Sequence, residues 1–90
     1  MKLIFCKSCH DVVKLIIGVK RSCKCGKCSG LYIDKLNAEY EGDDVMPLGF
    51  NNFSLKDALN DQPKSGQGMR FDAFVIPEIC PTFKKLKKEA

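Results

Sequence analysis

Hydrophobic and β-branched residues fall in short runs that are separated by turn residues, and this pattern predicts strands more often than helices. Two runs flank the first pair of cysteines, and the second of them ends at Gly18. Three more runs follow, of which the last is the strongest in the second half of the chain and is stopped by Pro77. The predicted strands are 2–5, 12–17, 31–33, 39–41 and 69–76.

The segment Val45–Phe50 is also apolar, but it contains Pro47 and Gly49. Proline cannot donate a ladder hydrogen bond, so we expect at best an edge strand or an irregular segment there. One helix is predicted over 55–61, with Ser54 as its N-cap and an acidic residue in its first turn. A flexible loop rich in Gly and Ser is expected at 63–68.

A chain of 90 residues is expected to form one domain, in a size range where a hydrophobic core alone gives marginal stability. These elements predict a small β-rich α+β fold with an N-terminal zinc ribbon of antiparallel strands, one short helix and a C-terminal strand. The expected division is a single domain over 1–83 and a basic tail over 84–90. No apolar run approaches the roughly 20 residues of a membrane helix, and no secretory signal is recognisable, so a cytoplasmic protein is expected.

Five of the six cysteines lie in the first third of the chain, in the clusters Cys6-Lys-Ser-Cys9 and Cys23-Lys-Cys25-Gly-Lys-Cys28. Two close-spaced pairs of thiols are typical of knuckles that close on one tetrahedral Zn²⁺. Knuckle spacing favours Cys25 with Cys28 as the second pair, whereas a bent strand would instead present Cys23 with Cys25. The sequence therefore predicts one structural zinc ion and leaves open which four of the five cysteines bind it.

Whether these thiols bind metal or form disulfides depends on the cellular compartment of the protein. Reductants of the cytosol keep cysteines in the thiol form, so clustered cysteines there bind metal more often than they form disulfides. The alternative is three disulfides among six cysteines, with 15 possible connectivities, and it would require export.

The runs 21–26, 30–34, 47–49 and 71–77, together with the cysteine clusters, resemble small zinc-ribbon proteins of bacteria and their phages. The resemblance extends over most of the chain. The pair with a one-residue gap, Cys23 and Cys25, recurs in it, which implies that this pair takes part in binding the metal. It implies a structured domain but no particular activity.

No phosphate-binding loop, zinc-protease helix or serine nucleophile motif occurs in the sequence, and an all-sulfur metal shell is typical of structural sites. We therefore expect a binding module, a regulator or adaptor that acts on a protein partner, rather than a thiol redox or metal-dependent enzyme. The candidate partner-binding residues are Leu48, Phe50 and Phe53, in or beside an irregular apolar segment.

Nucleic-acid binding is the alternative, because charge is segregated along the chain. Residues 1–30 hold seven Lys or Arg against one Asp, residues 31–63 two against seven acids, and residues 64–90 six against three. Either the acidic middle neutralises the basic ends within the fold, or the ends form a surface for phosphates. The candidate phosphate-binding residues are Lys20, Arg21, Lys24 and Lys27.

Overall fold

The computed structural model describes residues 1–86 and contains eight strands and one helix in that range. The strands are β1 (Lys2–Cys6), β2 (Val12–Lys14), β3 (Arg21–Ser22), β4 (Ser29–Tyr32), β5 (Ala38–Glu41), β6 (Val45–Phe50), β7 (Ala73–Val75) and β8 (Phe83–Lys85), and the helix is α1 (Asn52–Asn60). The small β-rich fold with one short helix and a C-terminal strand is therefore confirmed.

The strands form two four-stranded sheets. The first sheet has the order β2-β1-β6-β7 and is antiparallel throughout, and the second has the order β3-β4-β5-β8, in which only β5 and β8 run parallel. One buried cluster takes residues from both sheets, among them Ile4, Val45, Tyr40 and Phe83. The rings of Tyr40 and Phe83 meet edge to face at 4.7 Å, so the core is closed partly by the C-terminal strand.

The prediction of an edge or irregular segment at Val45–Phe50 is wrong, since β6 lies between β1 and β7. Pro47 is tolerated in this central strand because of its register. It faces Ile4 of β1 and Ile76 beside β7, and its carbonyl accepts a hydrogen bond from the Ile76 N–H at 2.9 Å. In an antiparallel sheet the N–H and C=O of one residue point to the same neighbouring strand, which for Pro47 is the β7 side. The N–H that Pro47 lacks therefore removes only one hydrogen bond, at the end of the short β7 ladder.

Three other boundaries differ from the predictions. The helix begins at Asn52, and its cap is Asn51, whose Oδ1 accepts hydrogen bonds from two backbone N–H groups at 3.1 Å. The strand predicted at 69–76 is reduced to β7, because β6 ends at Phe50 and beyond it only the Asn51 N–H continues the pairing, with the Asp72 carbonyl. The run 12–17 is a strand only in β2, and Ile16 forms an isolated bridge with Val19.

Lys84 and Lys85, which were expected to begin the tail, lie in β8 beside β5. The rest of the predicted tail, residues 87–90, lies outside the described residues, and the division into domain and tail stays a prediction. Among residues 1–86 there is no helix long and apolar enough to cross a membrane.

Candidate metal centre

The first pair of cysteines lies in the turn that joins β1 to β2. Cys6 is the last residue of β1 and is fully buried. The turn is closed by the His10 N–H, which donates to the Cys6 carbonyl at 2.7 Å, and the Cys9 N–H donates to Cys6 Sγ at 3.5 Å. His10 adopts a φ of 61°, which is uncommon for a residue with a side chain. This tight turn brings the Cys9 thiol back beside that of Cys6.

The second cluster lies in the hairpin between β3 and β4. Register places Ser22 opposite Ser29, and the Cys23 N–H donates to the Cys28 carbonyl at 3.0 Å, so Cys23 and Cys28 lie opposite each other. The Gly26 N–H donates to the Cys23 carbonyl at 3.1 Å, and Gly26 has a φ of 78° that suits the turn. Cys25 therefore occupies the tip of the hairpin.

The two turns bring four thiols together. The sulfur atoms of Cys6, Cys9, Cys23 and Cys25 all lie within 4.8 Å of one another. Sγ of Cys25 lies 3.5 Å from that of Cys23 and 3.7 Å from that of Cys6. A tetrahedral Zn²⁺ with Zn–S bonds of about 2.3 Å requires sulfur atoms about 3.8 Å apart. The four side chains are thus positioned to hold one metal ion.

Polar contacts outside the thiols tie the two turns to each other. The carboxylate of Asp11 accepts the backbone N–H of Lys24 at 3.1 Å, and the Lys27 ammonium donates to the Ser8 hydroxyl at 3.3 Å. Each contact joins a residue near the first pair of cysteines to one within the hairpin. These contacts hold the two turns, and with them the thiols that the turns carry, beside each other.

Cys28 is not a member of the four-sulfur group, although its side chain is only 1% exposed. The thiols of Cys6 and Cys23 lie close enough to it to raise its pKa. Cys80 is half-buried, and its thiol lies 3.6 Å from the Thr82 hydroxyl. The observed group is therefore the set in which Cys23 and Cys25 are paired, and Cys28 packs behind it.

Among the cysteines of the two turns, the surroundings lower the pKa of Cys6 and Cys23 and raise the pKa of Cys25 and Cys28. The backbone N–H of Cys9 lowers the pKa of Cys6. Burial opposes ionisation of Cys23, but hydrogen bonds from the Cys28 N–H and from neighbouring thiols outweigh burial and lower the pKa of Cys23 to about 6. The two thiols whose pKa is lowered therefore lie in different turns.

Cys25 and Cys28 show the opposite shift. The Lys27 N–H lowers the pKa of Cys25, but desolvation and the adjoining thiols of Cys23, Cys6 and Cys9 outweigh it and raise that pKa to about 11. Burial raises the pKa of Cys28 to about 12, and contact with Cys6 adds to the effect.

The four basic residues predicted to contact phosphates lie at or near the β3–β4 hairpin and are all exposed. Three of their side chains are engaged within the chain. Lys20 pairs with Glu41, the Arg21 guanidinium donates to the Lys14 carbonyl at 2.9 Å, and Lys27 contacts Ser8 as described above. The Lys20 pair is one case in which the acidic middle of the chain neutralises a basic end.

The predicted partner-binding residues lie on two different elements. Leu48 and Phe50 belong to β6 and are half-buried, whereas Phe53 lies in α1 with 83% of its surface exposed. In β6 the alternate residues Val45 and Pro47 are buried. Because successive side chains point to opposite faces of a sheet, Leu48 and Phe50 lie on the face of the first sheet that is turned away from the core.

We call this surface the outer face. Its members, placed by strand register and alternation, are Leu3, Phe5, Val12, Lys14, Met46, Leu48, Phe50, Ala73 and Val75. Only one of them is charged. Leu3 is buried, the residues of β6 are half-buried and those of β7 are exposed. Two of these positions, Leu48 and Phe50, were among the residues predicted from the sequence. The apolar runs of β1 and β6 do not alternate strictly with polar residues, and this signal could have indicated a sheet that is apolar on both faces.

The comparisons with known proteins add no name to this site. The four-cysteine group is compatible with a zinc site, but no match confirms the resemblance to small zinc-ribbon proteins. No known protein family, curated protein or solved structure matches the chain.

Proposed function

We propose that this chain is a non-catalytic binding module in which one Zn²⁺, held by Cys6, Cys9, Cys23 and Cys25, joins the β1–β2 turn to the β3–β4 hairpin. The convergence of four sulfur atoms within 4.8 Å carries the proposal. Four thiolates suit Zn²⁺, and a site completed by four protein ligands leaves no position for a substrate, which is the arrangement of structural zinc.

The metal has a clear structural role in this fold. β3 consists of two residues and β2 of three, so few ladder hydrogen bonds hold either turn in place. Each turn supplies two of the four thiols, so a bound ion links segments that belong to different sheets. In a small domain, metal binding of this kind contributes directly to the free energy of folding.

The proposed interaction surface is the outer face, and the proposed partner is a protein. A sheet that is apolar on both faces is normally covered on both. Here the core covers one face, and on the outer face Phe50 packs against Phe71 while Val12 and Val75 stay exposed. The outer face carries a single charge, Lys14, whereas a phosphate-binding surface is strongly basic. Large exposed apolar surfaces of soluble proteins mark interaction sites. Phe53, the second residue of α1, is a further exposed apolar side chain, three residues beyond the end of β6.

Capture from the native cell tests this surface when matched variants are compared. The zinc-loaded protein is immobilised, and Leu48→Lys on the outer face is compared with Leu59→Lys, an equally apolar but exposed position of α1. A partner retained by the wild type and by Leu59→Lys, and lost from Leu48→Lys at an unchanged melting temperature, supports the proposal. A partner retained equally by both variants contradicts it.

Nucleic-acid binding is tested separately by titration with DNA and RNA at low and high salt. Phosphate contacts make affinity fall steeply with salt concentration. We expect no specific binding, since three of the four basic side chains near the hairpin already have contacts within the chain. Salt-dependent binding that is lost in Lys24→Glu would favour the nucleic-acid alternative over the protein partner.

A further inference from the structure

One thiol beside the proposed metal centre is not among its ligands. The side chain of Cys28 is only 1% exposed, belongs to the buried core cluster and lies outside the group of four sulfur atoms. A thiol is the reduced end of the cysteine oxidation series, and it condenses with an oxidised sulfur to form a disulfide. Cys28 is therefore a reducing group held next to the ligand sulfur atoms.

Cys28 borders two of the ligands. The Cys23 N–H donates to the Cys28 carbonyl at 3.0 Å, so these two residues face each other across the hairpin. Residues paired in this way have Cα atoms about 5.5 Å apart, within the roughly 4.4–6.8 Å that a disulfide spans. The thiol of Cys6 is the other close neighbour of the Cys28 thiol. The fold therefore places Cys28 within disulfide reach of Cys23 and beside Cys6.

An oxidant from solvent meets a different sulfur first. Cys25, at the tip of the hairpin, is the one exposed residue among the five cysteines of the two clusters. Its Sγ lies 3.5 Å from that of Cys23 and 3.7 Å from that of Cys6. These are the same two ligands that border Cys28. A path of sulfur contacts thus runs from the exposed Cys25, through either ligand, to the buried Cys28.

We propose that Cys28 is a resolving thiol, which makes the zinc centre a switch that responds to hydroperoxides such as hydrogen peroxide. This inference rests on the proposed zinc site. The oxidised product is a buried disulfide between Cys28 and one of the two ligands that border it. Zinc is released because that ligand no longer binds as a thiolate, and the link between the β1–β2 turn and the β3–β4 hairpin is lost with it.

One peroxide molecule supplies the oxidising power for one disulfide. The Cys25 thiolate attacks a peroxide oxygen, the O–O bond breaks, and a sulfenic acid and hydroxide form. The thiolate of Cys23 or Cys6 then attacks the Cys25 sulfur, and the oxygen leaves as a second hydroxide. Finally the Cys28 thiol loses its proton and attacks the ligand sulfur of this first disulfide, so that Cys25 leaves as a thiolate. Two sulfur atoms are oxidised, and the peroxide is reduced to water and hydroxide.

Transfer of the disulfide to Cys28 prolongs the oxidised state. Any disulfide that includes Cys25 lies at the exposed tip of the hairpin, where glutathione can reach it. A disulfide of Cys28 is shielded, because Cys23 is 5% exposed and Cys6 is fully buried. Reduction requires access of the attacking thiolate to a sulfur atom, so the shielded disulfide is reduced more slowly.

The test treats the zinc-loaded protein with one equivalent of hydrogen peroxide, then measures released zinc and maps disulfides by mass spectrometry. We expect zinc release in proportion to the oxidised chain, an intact mass lower by two hydrogens, and a disulfide that joins Cys28 to Cys23 or Cys6. The map is made on the wild type, so it does not depend on the folding of any variant. Zinc that stays bound overturns the proposal, and so does a final product in which Cys28 is still a free thiol.

Cys28→Ala tests the protection that the buried disulfide gives. Cys80→Ala is the matched control, because it removes a half-buried thiol that lies 3.6 Å from the Thr82 hydroxyl, outside both cysteine clusters. After oxidation, glutathione and Zn²⁺ are added, and Cys28→Ala is expected to regain zinc at least about tenfold faster than the wild type. Cys80→Ala should recover at the wild-type rate. Equal rates for the wild type and Cys28→Ala would contradict the proposal.

Zinc content measured before oxidation separates this inference from the proposed function. An untreated protein that binds no zinc contradicts the proposed function, and the switch fails with it. An untreated protein that holds one zinc ion, but whose oxidised form contains no disulfide of Cys28, contradicts the resolving role alone.

Discussion

Replacement of Gly42 by alanine is expected to destabilise this protein strongly. The backbone conformation and the steric overlap contribute separately to the loss of stability. Gly42 follows β5 with a φ of 133°, a conformation that residues with side chains rarely adopt. A Cβ atom there would lie 2.5 Å from the Lys27 carbonyl oxygen, 3.1 Å from Cys28 Cα and 3.2 Å from Cys28 Sγ. The nearest obstacle is backbone of the cysteine hairpin, which no side-chain rotation can relieve.

The conformational term is about 1–3 kcal/mol for a side chain held at such a φ. Overlap with the hairpin backbone adds about 1–3 kcal/mol, as for other overpacked sites. Together they amount to about 2–6 kcal/mol, a large part of the 5–15 kcal/mol that stabilises a typical domain. At about 4–8 °C for each kcal/mol in a domain of this size, the melting temperature should fall by at least about 8 °C.

Gly66→Ala is the matched control, since Gly66 has a φ of 98° and no atom within 4 Å of an added Cβ. It carries the conformational term alone, so urea unfolding of the zinc-loaded variants should show Gly42→Ala to be less stable than Gly66→Ala by about 1–3 kcal/mol. Equal losses in the two variants would refute the reasoning, because they would mean that the turn after β5 does not press on the cysteine hairpin.

Three further outcomes are expected. Cys28→Ala should keep one metal ion per chain, measured by elemental analysis, whereas Cys25→Ala should bind it at least about tenfold more weakly. Side-chain and backbone hydrogen bonds from Asn37 lower the pKa of Asp34, so Asn37→Ala should raise that pKa in an NMR titration. The ionised Asp34 stabilises the fold above its unfolded-state pKa, and this contribution is lost as the pH falls through the folded-state pKa. Phe83→Ala should cost about 3–5 kcal/mol in urea unfolding, since the ring is fully buried.

The existence of the cysteine site was predictable from spacing, but its membership was not. Spacing indicates which thiols can approach one another along the chain, whereas the choice between Cys23 and Cys28 as the partner of Cys25 depends on how β3 and β4 pair. That register sets Cys28 opposite Cys23 and buries it, and leaves Cys25 at the hairpin tip. Register is determined by long-range packing and is not encoded in a short motif.

The errors in the predicted elements have similar causes. Ser54 has the side chain of a typical N-cap, but its hydroxyl donates to the Asn51 carbonyl and accepts from the Asp72 N–H. The side chain of Asn51 therefore caps the helix by accepting from the Phe53 N–H. Pro47 usually indicates an edge, yet its register makes it acceptable in a central strand. In each case a local rule describes what a residue can do, and a contact distant in sequence decides what it does.

Metal content and metal-dependent stability test the central claim most directly. The protein, purified without added metal, is analysed for bound ions and then unfolded thermally before and after removal of the ion by a strong chelator. The account predicts one zinc ion per chain and a loss of the cooperative transition when it is removed, with recovery on adding Zn²⁺ back. A metal-free protein whose melting curve does not change with chelator or with added Zn²⁺ would contradict it.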